Sequence, residues 1–230
     1  MKKYRQLKLL GARALSKGCR ALHLTPPAIA QYQIDIDGIP QFSSKSESWN
    51  RNFLNMMTCA NFLFLPLLNG GTVTFGDGVL NTKKVDGSIS SNNYGFSPIG
   101  ATDLSTTSST KGIVLGSSDV AETFDDHALT QISYTDISYQ AGIKSAPSWD
   151  AVNRKWSMTL TRSFVHDKIG TPIVVKEIGH ISGEQIGIND AGGEVDLTNS
   201  FLIIRDLLPT PITINPGQVL TVSYTIEYAY

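Results

Sequence analysis

Hydrophobic and polar residues alternate almost without fault near the C-terminal end of the sequence. Leu220, Val222, Tyr224, Ile226 and Tyr228 share one parity, and Thr221, Ser223, Thr225 and Glu227 share the other. Strand side chains repeat with a period of two, so this stretch has one dry face and one wet face. Pro216-Gly217 sets a turn just before it. The pattern predicts a strand over 218–229 that pairs inside a sheet, with Leu220, Val222, Tyr224 and Ile226 in the core. Further strands are expected at 112–116, 130–140, 154–165, 171–181, 195–205 and 210–215. Gly112-Ile-Val-Leu-Gly116 is wholly apolar between glycines, whereas Trp156, Met158 and Leu160 alternate and are expected to form one inward face. Pro211 places the 210–215 strand at a sheet edge or has it begin there, because proline cannot donate to a ladder.

The first half is less regular. Leu7, Leu10, Ala14, Leu15, Cys19 and Leu22 fall at three- and four-residue spacings and predict a helix over 4–24, ended by Pro26-Pro27. Tyr32, Ile34 and Ile36 alternate into an Asp37-Gly38 turn, so residues 28–42 read as extended. A short helix is expected over 49–60, capped by Ser46 or Ser48, with Trp49, Phe53, Met56, Met57 and Ala60 turned toward the sheet. Asn69-Gly70-Gly71 is a turn, and residues 81–111 are polar enough to read as long surface loops. Closely spaced strands with little helix between them predict an all-β fold: an antiparallel β-sandwich or jelly-roll-like domain over 43–230, with a short helix and a basic N-terminal arm or extension over 1–42.

Charge sharpens that division. The net charge of the 230-residue chain is −1, but Lys2, Lys3, Arg5, Lys8, Arg13, Lys17 and Arg20 all lie in the first 25 residues, which contain no acid. The remainder holds 12 basic and 20 acidic residues. A basic arm on an acidic body is suited to a partner of its own: a neighbouring subunit or the phosphates of nucleic acid. Tyr4 is the sole aromatic residue among positions 1–20, which speaks against base stacking. Cys19 and Cys59 are the only cysteines and read as free thiols in a reducing cytosol, not as a disulfide framework. No secretory signal is read before Thr25-Pro26-Pro27, and the apolar run from Phe53 to Leu68 is too interrupted for a membrane span.

Candidate chemistry is sparse. His23, His127, His166 and His180 read as surface or strand-end residues, and no Gly-x-Ser-x-Gly elbow is present. Asp125-Asp126-His127 offers three ligands, but neighbours on an extended chain point to different faces. Asn189-Asp190-Ala-Gly-Gly-Glu194-Val-Asp196 lacks calcium-loop spacing and reads as a turn. No catalytic, cofactor-binding or metal-binding residue is assigned, and no enzymatic activity is expected. Tyr94, Phe96 and Trp149, with Tyr134 and Tyr139, are the aromatic candidates for contact with a glycan or protein partner.

One ordered series of motifs carries a resemblance. Lys45-Ser-Glu-Ser-Trp49-Asn-Arg51-Asn52-Phe53 is followed by Gly112-Ile-Val-Leu-Gly116 and Phe124-Asp125-Asp126-His-Ala-Leu129. Arg162-Ser-Phe164, Val174-Val-Lys-Glu177-Ile178-Gly179, Leu202-Ile-Ile-Arg205-Asp206 and Ile214-Asn-Pro216-Gly217-Gln-Val-Leu220-Thr-Val222-Ser-Tyr224-Thr-Ile226 complete it. Over residues 43–230 this series resembles β-sandwich virion proteins of tailed bacteriophages. The resemblance implies a structural protein of the capsid surface, minor head, collar or tail, assembled in the bacterial cytoplasm as a homo-oligomer among other virion proteins. Packaged nucleic acid at the arm and a host surface glycan at the aromatic residues are the further partners it implies. A carbohydrate-binding adsorption module on the particle is the alternative.

Overall fold

A computed structural model describes residues 29–46, 82–90, 107–123, 125–182 and 200–229. These residues form antiparallel β-sheets. The expected helices over 4–24 and 49–60 lie outside the described residues.

The largest sheet is built around the closing alternation. Strand β1 (Ile29–Ile36) turns through Asp37 and Gly38 into β2 (Ile39–Ser46). Both turn residues have left-handed φ, 51° and 78°, as a two-residue turn of the hairpin-favoured hand requires. The last strand, β12 (Val219–Ala229), lies between β1 and β9 (Lys155–Val165) and pairs with both along its length. Leu220, Val222, Tyr224 and Ile226 are all buried. The far side of β9 is lined by three short pieces, β6 (Ser138–Tyr139), β7 (Ile143–Lys144) and β8 (Ser148–Asp150). The 130–140 strand is reduced to β6, which pairs with β9, and a lone bridge from Gln131 to Gly116, so the segment passes from one sheet to the other.

The second sheet has the order β11 (Phe201–Ile214), β10 (Ile173–Ser182), β5 (Gly112–Gly116). The described part of the strand expected at 195–205 and the strand expected at 210–215 are one strand, β11, which runs through Pro209 and Pro211, while 195–199 lie outside the described residues. Both prolines are tolerated because β11 is an edge strand in its sheet, and its register with β10 slips between Val175 and Glu177. A small hairpin, β3 (Thr82–Lys83) and β4 (Ile89–Ser90), stands apart within the predicted loop region; Val85 N donates to the Ser200 carbonyl at 2.9 Å.

The two larger sheets contribute to one core, with Tyr32, Ile34, Leu160, Phe164 and Tyr224 from the first and Ile113, Leu115, Ile178, Phe201 and Ile204 from the second. The second sheet is buried along nearly all of β5 and β10 and the first half of β11. Burial on both faces explains why these strands read as continuous apolar runs and not as alternations. Residues 29–42, grouped above with the N-terminal arm, are β1 and half of β2; Tyr32 and Ile34 place them in the sheet by packing into the core.

Candidate functional site

Charged residues inside a run such as Phe201-Leu-Ile-Ile-Arg-Asp-Leu-Leu208 must find partners, because an unpaired buried charge is strongly destabilising. Arg205 and Asp206 are adjacent on β11, so they point to opposite faces of the sheet. Asp206 faces the core, where it accepts the Tyr224 hydroxyl proton at 2.9 Å across the gap between sheets. Burial, with Asp206 beside it, pushes the Tyr224 hydroxyl well above its ordinary value.

Arg205 faces the other way, beneath Val120 and Asp126. Its Nε donates to Glu177 Oε2 at 2.6 Å, Nη1 to Asp126 Oδ2 at 2.7 Å and Nη2 to the Val120 carbonyl at 2.9 Å. Glu177 is fully buried, and its other oxygen accepts the backbone N–H of Ser118 and Thr130. Leu207 N donates to Glu122 at 2.8 Å, a further tie to this segment. Burial alone would lower the Arg205 pKa, but Asp126 and Glu177 outweigh it and hold the guanidinium above its usual range. Burial likewise opposes ionisation of Asp126, but Thr123 and Arg205 reverse the balance and lower its pKa. The result is an ionic clasp holding residues 118–120 and 126–130 against the sheet. Two glycines make room for it: a Cβ at Gly116 would strike the Glu177 side chain, and one at Gly179 would meet Leu129 Cδ2 at 2.5 Å.

A second buried cation works in the core. Arg162 on β9 donates to the carbonyls of Gln140, Lys111, Ile113 and Ser108 at 2.6–3.0 Å. Its guanidinium lies 4.9 Å from the Tyr139 ring centroid and 5.9 Å from that of Phe164. Burial draws the Arg162 pKa down to about 10, so it stays charged at neutral pH. Across from it, His180 is fully buried in β10, and neither ring nitrogen has a hydrogen-bond partner. Burial, reinforced by the Arg162 charge, lowers the His180 pKa to about 3.

The structure corrects several of the sequence expectations. His180, near the end of β10, and His166, directly after β9, do lie at strand ends, but neither is a surface residue: both are fully buried, and His166 Nε2 lies 2.8 Å from the Thr171 carbonyl. Tyr139 is no surface aromatic: it is buried and donates to the Ile132 carbonyl at 2.7 Å. Trp156 is not core. The inward face of β9 is fully covered only from Leu160 onward, leaving Met158 half-buried and Trp156 41% exposed. Trp156 pairs instead with Trp149, itself 44% exposed, at 5.3 Å between ring centroids and a 44° tilt. Asp150 fixes the turn between them by accepting from Val152 N and Asn153 N, both at 3.0 Å. Lys155 pairs with Glu227 at 2.7 Å beside it. Tyr134 stands exposed elsewhere.

The remaining candidates, Lys2, Lys3, Arg5, Lys8, Arg13, Lys17 and Arg20 of the arm and Tyr94 and Phe96, lie outside the described residues, as does the 189–196 turn. No family model matches the chain, and no similar curated protein or solved structure was found. Among the described residues, no cluster of three or more His, Cys, Asp or Glu is placed to hold a metal ion. No helix there is long and apolar enough to cross a membrane. An open cleft of about 440 Å³ lies between Ile36, Gln41 and Phe42 on one wall and Pro209, Pro211 and Ile212 on the other, with no charged side chain in its lining.

The Trp149–Trp156 pair and the clasp are what the sequence reading missed. Arg205-Asp206 within an apolar run was the available signal for the clasp. For the tryptophans the signal was weaker: both flank the turn at 150–155 at positions that face each other once the strands pair.

Proposed function

We propose that this chain is a structural component of a tailed-bacteriophage virion: a β-sandwich, jelly-roll-like in its winding, that works through protein–protein assembly. Its place is the capsid surface, minor head, collar or tail, with assembly in the bacterial cytoplasm. The observation that carries this reading is the use made of buried charge. Arg162 holds backbone carbonyls together, while Arg205 and Glu177 fasten a long surface segment to a sheet. Such groups make a rigid scaffold and leave its polar loops to meet neighbours. The basic arm over 1–25 suits an acidic neighbour or packaged nucleic acid, as terminal arms do in closed symmetric assemblies. Disrupting the gene and imaging the resulting particles by negative stain tests this. Missing or misassembled parts are expected; normal particles overturn the proposal.

The exposed Trp149–Trp156 pair favours a second reading, a carbohydrate-binding module that serves adsorption. Two indoles flanking a fixed turn offer apolar ring faces to a sugar, with the turn residue Asn153 the polar side chain nearest in sequence for its hydroxyls. Glycan-array binding that is lost in both Trp149→Ala and Trp156→Ala supports it; a flat array removes it.

A further inference from the structure

The two edges of the larger sheet are built differently. The edge beyond β9 is broken: Ser138 pairs with Val165, Ile143 with Thr161 and Ser148 with Ser157, so the register slips twice. Breaks of this kind stop an edge from recruiting another strand. The opposite edge is β2, beyond which no strand pairs among the described residues. Its irregularities, Pro40 and a register shift, are confined to the end near the turn, and Phe42–Ser46 then pairs regularly with β1. Residues 43–45 are exposed, and Ile39 is 65% exposed.

We infer that Phe42–Ser46 of β2 is an assembly interface at which a second copy of this chain adds its own β2, antiparallel, about a two-fold axis at Ser44. This rests on the assembly reading for its choice of a like partner. An antiparallel edge is self-complementary, since each strand offers outward N–H and C=O groups to its twin. An axis at Ser44 sets Ser43 opposite Lys45 of the second copy and Phe42 opposite Ser46, and it leaves Pro40 outside the paired stretch. Lys45 is the only charged residue in β2, so this register brings no like charges face to face.

The register makes opposite demands on two substitutions at one exposed position. Ser43→Lys places an ammonium across from Lys45 of the second copy, twice by symmetry, whereas Ser43→Glu places a carboxylate there. Light scattering and sedimentation of the full chain at low salt should show a dimer that is weakened about fivefold or more by Ser43→Lys and strengthened by Ser43→Glu. Under mild oxidation, Ser44→Cys should give a Cys–Cys peptide joining position 44 of two chains, since Cα atoms paired across antiparallel strands lie about 4.5–5.5 Å apart, within disulfide reach. A monomeric full chain, equal dimerisation of both Ser43 variants, or failure of the Ser44→Cys link overturns the inference. Mass spectrometry of particles addresses the virion reading separately, so either claim can fail alone.

Discussion

Arg205 and Glu177 carry the sharpest energetic consequence at the scale of single residues. Removing one partner of a buried, hydrogen-bonded ion pair leaves the other uncompensated, at a cost of about 3–5 kcal/mol. Glu177→Ala also orphans the N–H groups of Ser118 and Thr130. Urea unfolding should therefore show Glu177→Ala losing about that much, and the double change with Arg205→Met should lose clearly less than the two single losses combined. His180 contributes to the loss of stability in acid, beside Asp126, whose pKa is also lowered. Its pKa is depressed to about 3 in the folded chain against 6.5 when exposed, so the unfolded chain binds the extra proton. Stability from this source is complete above pH 6.5 and falls as the pH drops toward 3, by about 2 kcal/mol between pH 6.5 and 5. His180→Leu should flatten that limb in unfolding midpoints measured across the range; an unchanged acid limb would show that His180 is not its cause. At this scale the available signal was Arg205-Asp206 inside an apolar run, which was read only as one motif of a series. It left Glu177 unnamed as the partner, because that pairing arises from the β10–β11 register. His180 lies between Gly179 and Ile181, which resembles an exposed strand end until both faces of the sheet are known to be covered.

Among the elements, β12 was the most legible: its alternation gave the strand and the core residues, and Pro216-Gly217 the turn ahead of it. The all-apolar β5 and the apolar runs of β10 and β11 were equally plain as strands. What alternation could not supply was a second cover. Sheet two shares its core with sheet one on one face and is tied on the other to Ser118, Val120, Asp126 and Thr130, and only contacts distant in sequence reveal that. Gly116 measures how closely this second layer is laid. A Cβ there would run into Glu177, whose carboxylate is held at both oxygens, whereas a Cβ at Gly170 meets nothing within 4 Å. Gly116→Ala should destabilise by about 2 kcal/mol and Gly170→Ala by less than about 0.5 kcal/mol in the same unfolding assay. Equal effects would mean that the loop yields freely. Trp156 shows the converse limit, since a flawless inward parity places a side chain in the core only as far as the opposite sheet extends.

For the whole molecule, sheet order was the least legible feature. β1 and β12 are neighbours although Ile29 pairs with Glu227, and no local pattern announces a pairing across nearly the full chain. The charge division was legible from composition alone, and it separates a basic segment from sheets whose described strands begin at Ile29. Deleting residues 2–24 should leave far-ultraviolet circular dichroism strand-like and the unfolding transition cooperative while weakening assembly; loss of the cooperative transition would refute that independence. If the chain is a building block of a tailed-phage particle, as proposed, quantitative mass spectrometry of particles purified from a phage carrying its gene will detect it. Its peptides are expected at a fixed, multiple copy number per particle, comparable with other structural proteins. Their absence from particles that carry the known head and tail proteins would contradict the proposal.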